Sequence, residues 1–152
     1  HYPLRRQRQM CIRDRYNTIV HHEAHAKAVI DGIKAFSPEL AVMLLPGGVA
    51  VDIAERAGLR VIREAFADRG YNPDGTLVSR REPGAVLRDP EDVAKRVLQV
   101  AATGSVTAID GSEVEVQAES VCVHGDSPGS VEMTRRVART LHDEGIRIEA
   151  VL

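Results

Sequence analysis

Two periodicities alternate along the chain. Ala26, Val29, Ile30 and Ile33 recur at helical spacing and predict a helix over His21–Phe36, closed by Ser37-Pro38. Leu40–Leu45, "LAVMLL", is an unbroken apolar run, the pattern of a strand buried on both faces. Pro46–Gly48 turns the chain, and Ala50, Ile53, Ala54 and Ala57 mark a second helix with Gly58 at its carboxyl cap. Leu59–Phe66 reads as a second strand. Pro90–Ala102 is a third helix: Asp89 caps it, Pro90 takes its first position, and Val93, Val97, Val100 and Ala101 form its apolar face. Val106–Ala118 reads as a hairpin about Asp110-Gly111. Ser120–Val123 is a short strand. Asp126 is placed to cap a last helix near Ser127–Glu144, whose face is Val131, Thr134, Val137, Ala138 and Leu141. Ile146–Val151 reads as a final strand.

Strands alternating with amphipathic helices predict parallel βαβ units and an α/β class. Four strands and a hairpin are too few to close a barrel of about eight. The pattern therefore fits an open sheet or part of a barrel. One connection breaks the alternation. Ala67–Arg88 shows no regular periodicity, but it carries turn signals at Asn72–Gly75 and Pro83-Gly84 and apolar anchors at Leu77, Val78, Val86 and Leu87. Loops beyond about 12–15 residues are usually functional or disordered. The apolar anchors argue for an ordered, functional one. It leaves the carboxyl end of a strand, where parallel α/β sheets bind ligands.

Composition narrows the classes of partner. The 152 residues amount to about one domain. The net charge of −2 gives no drive toward nucleic acid or an anionic membrane, and no apolar run approaches the ~20 residues of a bilayer span. Two cysteines, Cys11 and Cys122, make no disulfide framework, so a reducing cytoplasm is the expected setting. Aromatic residues are 3%, so the core must be aliphatic. The first fifteen residues do not match the rest: they are basic and aperiodic. Met10–Arg15, "MCIRDR", resembles the in-frame translation of a transposon-end sequencing adaptor. Residues 1–15 are therefore set aside as artefactual; the alternative is a genuine basic arm. Residues 16–152 are read as belonging to one domain.

Candidate chemistry concentrates at "SVCVHGDSPGSV", Ser120–Val131. His124 and Asp126 lie one residue apart where a strand gives way to a helix, and an anion there gains from the helix amides. The plainer reading is that Asp126 only caps the helix and His124 only turns the chain. Cys122 reads as a small apolar strand residue. His21 and His25 share a helix face by spacing, but "HEAH" lacks the spacing of a zinc-protease motif and reads as a solvated face. "PGGVA" lacks the lysine and second glycine of a phosphate loop, and Glu113 and Glu115 read as solvent-facing.

"REAFADRGYNPDGTLVSRREPGAVL", Arg63–Leu87, followed by "VCVHGDSPGSV", Val121–Val131, resembles the LamB/YcsF family of 5-oxoprolinase A subunits. The resemblance runs from about Tyr16 to Ile148, with Tyr16-Asn17 matching the end of an upstream family motif. The family's earlier motifs have no counterpart in this sequence. The resemblance implies an incomplete (β/α) barrel of the glycoside hydrolase/deacetylase type with its first part missing. It further implies ATP-dependent opening of 5-oxo-L-proline to L-glutamate, in a complex with B and C subunits, with ATP as co-substrate and Mg2+ accompanying it. On this reading Asp126 orients or deprotonates water, and His124 donates to the departing nitrogen or stabilises developing charge. Glu64 and Asp68 are further acid–base candidates, and Arg69, Tyr71 and Arg80 would hold substrate or phosphate. The chain alone is expected to be inactive. Two other readings stay open. A metal-dependent deacetylase-like hydrolase needs a convergent His–carboxylate set, for which His124 and Asp126 alone fall short. A non-catalytic interaction module would leave Arg69, His124 and Asp126 pointing apart.

Overall fold

The computed structural model describes residues 15–125 and 128–150. The expectations for residues 1–14 and for Asp126 as an individual residue lie outside these. The chain forms two compact units, His1–Val61 and Ile62–Leu152.

In the first unit, residues 15–21 are helical (α1) and are followed by α2, Glu23–Phe36. Next come β1, Val42–Leu44, and α3, Val49–Arg56. The periodicity explains the packing: Ala26 and Ile30 of α2 are buried with Ala50, Val51 and Ala54 of α3. Val42 N–H donates to Arg60 O at 2.8 Å. β1 departs from the sequence expectation of burial on both faces. Val42 and Leu44 pack against the helices, whereas Met43 is 43% exposed. Strand side chains alternate, and the helices of this unit cover only one side.

The second unit holds β2, Val61–Phe66, which begins at the boundary between the units, then α4, Pro90–Thr103. It continues with β3, Ser105–Thr107; β4, Glu113–Glu115; β5, Ser120–Cys122; and α5, Ser130–Asp143. β2 and β5 pair in parallel, with Glu64 opposite Ser120, Ala65 opposite Val121 and Phe66 opposite Cys122. The intervening chain supplies α4 as the crossover and the antiparallel β3–β4 hairpin. α4 and α5 cover one face of the pair. Their Val93, Ala94, Val97, Met133, Val137 and Leu141 make an aliphatic core with Ala67, Val121 and Val123. α4 has the termini its sequence specifies. Asp89 Oδ1 accepts from Glu91 N–H at 2.8 Å, Pro90 fills the first turn, and Gly104 closes the helix at φ 70°, a left-handed conformation that glycine adopts without Cβ strain. No described helix is long and apolar enough to cross a membrane.

Two sequence expectations at the carboxyl end fail. α5 starts at Ser130, after Gly129 at φ 80° and with no side-chain cap, later than the start near Ser127 that the sequence pattern predicts. The left-handed glycine breaks the helical path that the capping signal implied. Residues 146–150 form no strand. Ile146 N–H instead returns to Leu141 O at 2.8 Å, closing α5. Ile148 is 67% exposed, and among the described residues no strand pairs with this segment.

Candidate functional site

The parallel pairing places the carboxyl ends of β2 and β5 side by side. Because strand side chains alternate, Val121 and Val123 point toward α4 and α5, while Cys122 and His124 take the opposite face together with Glu64 and Phe66. The His124 ring stacks on Phe66, with centroids 5.5 Å apart and planes at 16°.

β2 stops at Phe66 because the chain turns at Ala67 and Asp68. Ala67 N–H still donates to Cys122 O at 2.9 Å, carrying the pairing one step beyond the strand. Asp68 follows, 1% exposed. Its two carboxylate oxygens lie 2.7 and 2.9 Å from His124 Nδ1. Facing an ionised carboxylate, which only accepts hydrogen bonds, Nδ1 is the nitrogen that carries the proton when the ring is neutral, and Nε2 is then the nitrogen with the lone pair. The carboxylate thereby fixes which way the imidazole faces. Burial raises the pKa of Glu64, and His124, when its ring is protonated, acts in the opposite direction.

The long loop leaves this site at Asp68 and is held by hydrogen bonds between its own two arms. Asp68 O accepts from Leu87 N–H at 2.9 Å, and Gly70 N–H donates to Ala85 O at 3.0 Å. Isolated bridges join Arg69 to Val86 and Tyr71 to Leu77. A Cβ on Gly70 would lie 2.4 Å from Gly84 O, so the two backbone strands of the loop approach as closely as they do only because residue 70 is glycine. Asp74 Oδ1 accepts from Thr76 N–H at 2.9 Å and from Thr76 Oγ1 at 2.6 Å, forming the turn that Asn72–Gly75 signals.

The structure thus brings together Glu64, Asp68 and His124. Arg69 is 5% exposed and lies within the loop, its Nε donating to Ala85 O at 3.0 Å and its Nη2 to Val78 O at 2.6 Å. Tyr71 is fully buried, and its Oη accepts from Phe66 N–H at 2.7 Å; desolvation pushes its phenol up to about 12. Arg80 is exposed. Among the described residues, no group of three or more His, Cys, Asp or Glu side chains gathers as a metal-ligand set.

Sequence reasoning missed Arg96. Its guanidinium lies 5.7 Å over the Tyr71 ring, donates from Nη1 to Arg69 O, and donates from Nη2 to Thr107 O at 3.2 Å. The available signal was its place on α4, three residues after Val93 and four before Val100, beside the apolar face.

These elements define an α/β protein with a carboxylate-oriented histidine at the carboxyl ends of two parallel strands. The chain belongs to the LamB/YcsF family, whose profile matches residues 14–152. It is similar to the 5-oxoprolinase A subunit of Corynebacterium jeikeium (strain K411), 66% identical over 137 residues, covering 90% of this chain and 53% of that protein. It is also similar to the 5-oxoprolinase A subunit of Kocuria rhizophila, 56% identical over 135 residues, covering 89% and 54%. Among solved structures, the lactam utilization protein from Thermus thermophilus superposes with a TM-score of 0.82 at 38% identity, covering 90% of this chain and 54% of that one. The chain spans about half the length of the curated relatives it matches.

Proposed function

We propose that this chain carries part of the active site of an ATP-dependent 5-oxoprolinase, as its A component working with B and C subunits in the cytoplasm, on a (β/α) barrel. The observation that carries the proposal is the Asp68–His124 pair at the carboxyl ends of β2 and β5, in a chain 66% identical to a protein named as a 5-oxoprolinase A subunit. A lactam is a stabilised amide and resists water. Transfer of the γ-phosphoryl group of ATP to the lactam oxygen, with ADP leaving, makes the ring carbon electrophilic. Water then adds to that carbon, the ring carbon–nitrogen bond breaks with its electron pair going to nitrogen, and a second water releases phosphate to leave glutamate.

The residues have matching roles. His124 Nε2 takes the proton of the attacking water and returns it to the departing nitrogen, while Asp68 stabilises the imidazolium formed in between. Glu64, half-buried on the same face, is a second proton-transfer group. Asp126 is the candidate that orients the water, on its sequence position. Arg80, the exposed arginine of the loop, is the candidate for the substrate carboxylate or ATP phosphates through paired donors. Arg69 and Tyr71 contribute by shaping the loop. Mg2+ accompanying ATP would be held mostly by phosphate and water and would supply charge neutralisation at the phosphates.

The test uses a full-length protein containing this segment, purified with its partner subunits. Glutamate release should require both ATP and 5-oxoproline and should vanish in His124→Ala. Glutamate release without ATP, or undiminished release in His124→Ala, would refute the proposal.

A further inference from the structure

The six-residue turn from Phe66 to Tyr71 is closed on itself. Tyr71 Oη accepts the Phe66 N–H at 2.7 Å, so the side chain at the end of the turn grips the backbone at its start. Asp68 sits in the middle, 1% exposed. Phe66 is also the ring on which His124 stacks. The same staple therefore fixes both the carboxylate that faces His124 Nδ1 and the surface against which the imidazole rests. The staple is itself fixed from behind. Arg96 of α4 reaches the carbonyl of Arg69, the residue after Asp68, and lays its guanidinium over the Tyr71 ring. Its other terminal nitrogen holds Thr107 O of β3 at 3.2 Å. One planar fork thus ties the crossover helix, the hairpin and the turn together. An ammonium on a flexible stem cannot reproduce two divergent hydrogen bonds together with a position over the ring.

We propose that Tyr71 and Arg96 are positioning residues that hold Asp68 against His124 and thereby select the Nδ1–H tautomer of His124. Neither need touch substrate. Their effect reaches the chemistry through the orientation of the imidazole and the availability of Nε2, and in that respect the inference rests on the proposed function above. A role confined to stability would lower the melting temperature and leave the imidazole state of the folded protein unchanged.

The two are separated in the full-length protein labelled with 13C,15N-histidine, with the His124 resonance assigned from His124→Asn. Ring 15N shifts read the tautomer directly and need no substrate. The wild type should show His124 protonated at Nδ1. Tyr71→Phe, which keeps the ring and removes the acceptor for Phe66 N–H, and Arg96→Lys, which keeps the charge and loses the fork, should each give a mixture of tautomers. With partner subunits added, each should lower kcat about five- to tenfold, the loss expected from about one hydrogen bond of alignment, and leave KM within twofold. Gln99→Ala removes a side-chain contact with the same strand, Thr107 Oγ1 to Gln99 Oε1 at 3.2 Å, without touching the turn. It should leave both tautomer and kcat at wild-type values. Folded Tyr71→Phe and Arg96→Lys proteins with His124 still wholly Nδ1–H would overturn the inference. If the wild-type complex releases no glutamate, the functional reading fails, while the tautomer comparison still decides the positioning role.

Discussion

Asp68→Asn is the sharpest single perturbation of the site. The two side chains have the same shape, and the backbone anchor of residue 68, its carbonyl accepting from Leu87 N–H, is untouched. What changes is charge and hydrogen-bond sense. The carboxylate lies 2.7 and 2.9 Å from Nδ1 and is 1% exposed, so it can only accept, and solvent does little to dilute it. An asparagine can turn its NH2 toward Nδ1. The ring then carries its proton on Nε2, where a base is needed. A hydrogen bond to a charged group contributes about 1.5–3 kcal/mol. Losing it should lower kcat by about 10- to 150-fold. KM should hold, because no substrate contact is removed, and the melting temperature should stay within a few degrees. The assay is ATP-dependent glutamate release by the full-length protein with its partner subunits, run beside thermal unfolding of the same samples. A kcat within twofold of wild type would show that Asp68 does not govern His124, and the acid–base assignment would fall with it.

Two further outcomes follow from the same geometry. Burial raises the pKa of Glu64, so the folded state holds a proton there more tightly than the unfolded chain does. Its contribution to stability is full below the unfolded carboxyl range and is lost as pH rises through the raised folded value. Glu64→Gln should therefore melt above wild type at neutral pH, with the gap closing as pH falls below about 4.5; a gap that widens on acidification would contradict the burial argument. Gly70→Ala drives a Cβ to 2.4 Å from Gly84 O, a backbone atom that a rotamer change cannot move. It should cost about 1–3 kcal/mol, lowering the melting temperature by several degrees and reducing glutamate release. Unchanged melting would mean that the loop does not depend on this close approach.

Helix α4 and the turn of the hairpin were legible in the sequence because their determinants are local. Asp89, Pro90 and Gly104 mark the helix ends, and Asp110-Gly111 marks the turn, each through its own backbone preference. The parallel neighbours β2 and β5 were legible as strands sharing one end, and the long loop was legible as ordered from its apolar anchors. The Asp68–His124 contact was less so. Each residue could be placed at a strand end, but their pairing depends on a register that periodicity does not encode. Arg96 was invisible for a related reason, since a cation beside an apolar helix face looks the same whether it meets water or a buried carbonyl. The start of α5 is misplaced if Asp126 is taken as its cap, because Gly129, with its left-handed backbone, competes for the same role. The strand assigned to Ile146–Val151 failed because alternation describes a segment's own pattern and says nothing of whether an edge is available to receive it.

Asp68 and His124 stand 56 residues apart in sequence, and that separation has a kinetic consequence. Closing a chain segment of that length costs on the order of 3–4 kcal/mol of entropy before any contact between its ends repays it. α4 and the β3–β4 hairpin are short-range structures and can form on microsecond scales, but neither brings β5 to β2. The pairing of the two strands is therefore a late event in the folding of the second unit, and the slow, long-range contacts control its rate. A nascent or partly folded chain holds its helix and hairpin with the carboxylate and the imidazole still far apart. Hydrogen exchange at the Ala67 amide, which is protected only when Cys122 O arrives, marks the moment the site comes into being.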